Sequence, residues 1–142
     1  MLQCGFEKYP ESPVEAKFSI KFTCAAAFVR GRVSLGEFCR EMLDDPLVRR
    51  IADATKVVSD PLFTQRYPKR WGSRMTVTLT DGRKLTCQVD DMSGSVAVPL
   101  SPKQETDKFL GLAAAAMDQE RVEVLLDAVL HLETLERLPD LA

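Results

Sequence analysis

The feature that most constrains this chain is how often it spells the start of a helix. Ser12-Pro13-Val14-Glu15 places a hydroxyl at the N-cap, proline at the first helical position and a carboxylate three residues after the cap. Ser34-Leu35-Gly36-Glu37 repeats the Ser-x-x-Glu box. Asp45-Pro46 and Ser101-Pro102-Lys103-Gln104 again pair a capping side chain with proline, and Asp118 is an acidic cap. A chain punctuated this way has several helices, begun at set points.

The apolar spacing behind each start predicts the helices themselves. Ala16, Ile20, Thr23/Cys24, Ala27 and Phe28 recur three or four apart, so the first helix is read over about 13–30, with Gly31 as its stop. Leu35, Phe38, Cys39 and Met42 give a short second helix. Leu47, Val48, Ile51 and Ala52 are the expected inner face of a third. Phe109, Leu112 and Ala113 belong to a fourth. Val122, Leu125, Leu126, Val129 and Leu132 form the stripe of a fifth, which Pro139 ends.

Strands are fewer. Met75-Thr76-Val77-Thr78-Leu79 and Leu85-Thr86-Cys87-Gln88-Val89 both alternate apolar and polar. A two-residue Asp81-Gly82 loop would oppose Thr78 to Leu85 and mix apolar with polar on each face. A three-residue Thr80-Asp81-Gly82 loop pairs Val77 with Leu85 and Met75 with Cys87, and puts Gly82 where a left-handed φ is needed. Lys56-Val57-Val58-Ser59 is expected as another strand, and Leu2, Cys4 and Phe6 as the tail of a first. The order is then β-ααα-β-ββ-αα: an α+β domain over residues 1–142, a small antiparallel sheet with helices packed on one face.

Composition narrows the function. The 19 basic and 21 acidic residues leave a net charge of −2, unlike the basic excess of a dedicated nucleic-acid binder. No apolar run could span a bilayer: Phe22 to Val29 is too short, and Met92 to Pro102 is broken by Gly, Ser and Pro. The N-terminus shows no basic-then-apolar leader, so a cytoplasmic protein is expected. Cys4, Cys24, Cys39 and Cys87 have no metal-type spacing and are read as reduced thiols. No metal or cofactor is expected.

Sites of chemistry are sparse. His131, the only histidine, lies in the last helix without an evident nucleophile or carboxylate partner. Asp44-Asp45 and Asp90-Asp91 are adjacent acids, and Asp45 is used as a cap. Gly94 lies in a Ser93-Gly94-Ser95 loop that lacks the P-loop pattern. The segment Arg66-Tyr67-Pro68-Lys69-Arg70-Trp71-Gly72-Ser73-Arg74 has four cations, two aromatics and no acid. It reads first as a solvated loop with Tyr67 and Trp71 packed down, next as a loop attracting small anions through Arg66, Lys69, Arg70 and Arg74, and last as a nucleic-acid contact.

Several pieces in order resemble a known family. Glu15-Ala16-Lys17-Phe18-Ser19-Ile20, the Ala-rich helix and Gly31-Arg32-Val33 are similar to the EAKFS…A…GRV segment of MmgE/PrpD proteins. The likeness continues through Asp45-Pro46, Lys56-Val57-Val58, Asp60-Pro61, Val77-Thr78-Leu79-Thr80-Asp81-Gly82-Arg83, Gly94…Pro99-Leu100-Ser101 and Lys108-Phe109. The resemblance implies the C-terminal lid portion of a lyase or isomerase acting on small di- or tricarboxylic acids: a dehydratase, decarboxylase or epimerase. It also implies a homodimer and a partner helical domain that supplies the catalytic histidine, aspartate and lysine. Neither that domain nor the lid's Lys-Pro-(aromatic)…Cys…His motif has a counterpart here, and the lid-strand tyrosine that some members bring near the substrate, which would fall about at Cys4, is not matched there. No catalytic residue is therefore assigned. Lys17 and Ser19 match the family motif without a known role. Two functions remain: the lid of such an enzyme, or a non-catalytic binding or oligomerisation module descended from it.

Overall fold

The computed structural model describes residues 8–137. The proposed strand of Leu2, Cys4 and Phe6, and the tail with Leu138, Pro139 and Leu141, lie outside the described residues. The chain divides after Arg70 into two compact units.

The first unit is helical: α1 (Pro13–Ala16), α2 (Ile20–Arg30), a 3-10 turn (Leu35–Glu37), α3 (Arg40–Asp44), α4 (Pro46–Ala54) and α5 (Pro61–Arg66). The single helix expected over 13–30 is two helices. Ser19 is extended, with φ −97° and ψ 108°, and its Oγ accepts the Phe22 N–H at 3.2 Å. A serine whose side chain caps a new helix offers the backbone an alternative to continuing the old one. The break resets the helical phase. The buried face of α2 is Phe22, Ala25 and Ala26, with half-buried Val29, whereas Phe28 of the expected face is 59% exposed.

The other starts follow their caps. Ser12 Oγ accepts the Glu15 N–H at 3.2 Å, but Glu15 Oε2 takes the Glu11 N–H, at 2.8 Å, rather than that of Ser12. Asp45 Oδ1 accepts the N–H groups of Leu47 and Val48 at 2.8 and 3.3 Å. On α4, Val48 and Ala52 are buried and Ile51 is half-buried, while Leu47 points outward. The segment from Ser34 makes only a 3-10 turn before α3 begins anew at Arg40. Lys56–Ser59 is irregular rather than a strand, and Val58 is exposed. Among the described residues it has no neighbouring strand to complete a ladder. Asp60 instead caps α5, accepting the Leu62 N–H at 2.9 Å.

Phe22, Met42, Leu43 and Val48, with Ala16, Ala25, Ala26 and Ala52, make the core of this unit. Tyr9 meets Phe22 edge-on, with ring centroids 6.3 Å apart, and Phe38 lies 6.1 Å away on another side. The Tyr9 hydroxyl donates to the Leu43 carbonyl at 3.0 Å, and the Arg49 guanidinium sits 4.6 Å over the Tyr9 ring. These contacts tie the segment before α1 to α2, α3 and α4.

The second unit holds β1 (Ser73–Thr78), β2 (Lys84–Val89), α6 (Pro102–Ala113), α7 (Gln119–Leu130) and a 3-10 turn (Leu132–Thr134). The hairpin has the expected register, Val77 opposite Leu85 and Met75 opposite Cys87. Its loop is Thr80-Asp81-Gly82: the Gly82 N–H reaches the Leu79 carbonyl at 3.0 Å, and the Leu79 N–H reaches Arg83 at 2.8 Å. Gly82 has φ 86°. That is the left-handed residue of a type I turn with a G1 bulge. The polar face is internally bonded, with Thr76 and Thr86 hydroxyls 3.0 Å apart and Arg74 bound to Gln88. On the apolar face Met75, Leu85 and Cys87 are exposed. Gly82→Ala meets no atom within 4 Å of the new Cβ, so only its backbone conformation is penalised. We expect a loss of about 1 kcal/mol, read as a fall in hairpin amide protection with α2 and α4 unchanged; unaltered protection rules this out.

Ser101 and Gln104 form a reciprocal capping box at α6, and Asp118 Oδ1 caps α7 through the Arg121 N–H at 3.0 Å. Of the expected α7 stripe, Val122 is buried and Leu125 and Leu126 are half-buried, but Val129 and Leu132 are exposed. Helices and an antiparallel hairpin together make an α+β fold, with no strand between α4 and β1. No helix is long and apolar enough to cross a membrane among the described residues.

Candidate functional site

Lys17 and Ser19 occupy the corner between α1 and α2. Lys17 is the C-cap of α1 and is exposed, its own N–H donating to the Val14 carbonyl at 3.3 Å. Ser19 is 1% exposed. Its hydroxyl oxygen is committed to the cap of α2, and its carbonyl accepts the Thr23 hydroxyl at 3.0 Å. One motif residue thus turns the chain, and that turn holds the other in solvent. Ser19→Ala leaves the buried N–H of Phe22 without its acceptor. The expected loss is about 1–2 kcal/mol. Lys17→Ala should change stability by less than about 0.5 kcal/mol. Paired urea melts compare them; equal midpoints would remove the distinction.

The basic segment runs from the end of α5 into β1. Arg66 ends α5, and one turn on, the Arg70 N–H donates to its carbonyl at 3.0 Å; Lys69 and Arg70 are exposed. Arg74 belongs to β1, where Nε and Nη2 both donate to Gln88 Oε1 at 3.0 and 2.9 Å. Its guanidinium serves the hairpin's cross-strand pairing. Tyr67 and Trp71 are about half exposed, at 45% and 52%.

His131 closes α7. Its Nδ1 lies 3.0 Å from the Asp127 carbonyl oxygen and 3.1 Å from Asp127 Oδ1, on an exposed helix end. The sequence reading missed this carboxylate, although spacing of four residues on a helix is its signal. Asp44 faces Arg40 and Arg49, at 3.1 and 3.4 Å. Asp90 accepts from Gln88 at 2.9 Å, and Asp91 is buried. Gly94, with φ 85°, makes a tight turn whose N–H donates to Val98 at 2.8 Å. Cys24, Cys39 and Cys87 are thiols without disulfides, and burial pushes the Cys24 thiol up. No cluster of His, Cys, Asp and Glu suits a metal ion among the described residues.

Among the described residues of the first unit, Glu37 is the carboxylate most fully withdrawn from water. Its Oε2 accepts the Ser34 N–H and hydroxyl at 2.6 and 2.8 Å, and Arg32 lies 3.4 Å from Oε1. The Ser34 hydroxyl, then its N–H, and more weakly Arg32 hold this carboxyl below the usual range. The group therefore supports the α2–α3 connection above the ordinary carboxylate pKa. That support fades as pH falls through the lowered value. This is a structural use of charge.

Residues 2–134 match the family model of the MmgE/PrpD C-terminal domain. The chain belongs to the MmgE/PrpD family. Cis-aconitate decarboxylase of Mus musculus is 27% identical over 128 residues, which is 90% of this chain and 26% of that protein. The cis-aconitate decarboxylase-like protein oryM of Aspergillus oryzae is also 27% identical, over the same shares. The chain thus spans about a quarter of the length of these curated relatives. Within the MmgE/PrpD domain, the EAKFS motif is the α1–α2 corner and the Thr-Asp-Gly segment is the hairpin loop.

Proposed function

We propose that this chain is a lid-type C-terminal domain of an MmgE/PrpD lyase or isomerase that acts on small di- or tricarboxylic acids, and that it does not catalyse alone. The match over residues 2–134 carries the reading, because it ties the chain to one named part of a longer type of protein. Two relatives are named for cis-aconitate decarboxylation or likeness to it. Breaking a bond beside a carboxylate needs a placed base and cations for the charge that develops. The partner in this proposal is a helical domain bearing those groups, in the cytoplasm, with no role for nucleic acid. The anion-attracting loop of Arg66, Lys69, Arg70 and Arg74 stays the part of the chain that would draw an acidic substrate, and Lys69 is among its exposed cations.

The test is recovery of the tagged chain from its own cells. The expected result is a larger polypeptide or complex that consumes cis-aconitate or 2-methylcitrate. Recovery of the folded chain by itself, with neither activity associated, overturns the lid reading and leaves the binding or oligomerisation module.

The second unit favours a role in association as well. Val124, Val129, Leu130, Leu132 and Leu135 are exposed on and just after α7. Apolar area left in water at this density tends to find a partner, and a symmetric copy is the commonest. We expect a homodimer that Leu132→Lys with Leu135→Lys converts to monomer. Light scattering over a dilution series measures it; a monomeric mass at high concentration, or a dimer indifferent to both lysines, counts against this surface.

A further inference from the structure

We draw no further inference here: the strongest candidate, the apolar face of the β1–β2 hairpin that leaves Met75, Leu85 and Cys87 exposed, carries nothing more because nothing in the structure shows what covers it.

Discussion

Phe22→Ala is expected to remove about 3–5 kcal/mol from the first unit. A unit of this size has only about 4–10 kcal/mol of stability in all. Phe22 is fully buried, touches the rings of Tyr9 and Phe38, and lies on the face of α2 that packs against α4. Its removal opens a cavity where three helices and the segment before α1 meet. It also loses two aromatic contacts, each worth about 0.5–1.5 kcal/mol beyond area. Alanines at 16, 25, 26 and 52 line the same core. Small side chains cannot swing in to fill the space, so relaxation is limited. Phe18→Ala and Phe28→Ala are the controls, since those rings are 52% and 59% exposed. They should cost under about 1 kcal/mol. Urea unfolding followed by helical circular dichroism reads the difference. Phe22→Ala should lower the midpoint by about 2 M or more, or abolish the first transition. A midpoint no lower than that of Phe28→Ala would show that the core is not centred on this ring.

The contrast between those phenylalanines also shows what the sequence could and could not reveal. Phe28 fits the apolar spacing counted from Ala16, and Phe22 does not. The count fails because it runs through Ser19, where the chain leaves the helix and starts another with a new phase. Serine inside an apolar pattern is ambiguous in just this way, since it can sit in a helix or cap one. The hairpin was legible in detail because only one loop length keeps Met75 and Val77 on the face of Leu85 and Cys87, and because Gly82 suits the required φ. Lys56–Ser59 is not the strand expected of it. Strand propensity needs a neighbouring strand, and none is present among the described residues. The Asp60-Pro61 signature that follows has the form of Asp45-Pro46, and it starts α5 as that one starts α4.

The candidate site was legible as a motif and not as chemistry. Ser19 is a capping residue, a role any helix could require. Lys17 is its geometric consequence, set out in solvent by the turn. Arg74, counted with the basic loop, is occupied by Gln88 on the facing strand, which becomes visible only once the hairpin register is laid out. The family assignment succeeded where residue chemistry did not because it used collinear fragments spread from α1 to α6, each a small structural device rather than a reactive group.

The isolated chain should therefore turn over neither cis-aconitate nor 2-methylcitrate. Enzymes accelerate reactions about a million-fold or more. A positioned acid or base supplies about 10²–10⁴ of that, and charge stabilisation about 10²–10³ per donor. These terms exist only when the groups converge on one bound substrate. Here His131 faces Asp127 at an exposed end of α7, where water competes for both. Lys17 is at the α1–α2 corner, and Cys24 is a half-buried thiol whose pKa burial raises. The expected outcome is loss of cis-aconitate, followed by proton NMR, at the rate seen in buffer alone, and the same rate for His131→Ala. Consumption by the pure chain that His131→Ala abolishes would place catalysis within this domain and remove the need for a helical partner. Activity that survives His131→Ala and disappears on further purification belongs to a contaminant, and leaves the expected rate of the chain at that of buffer.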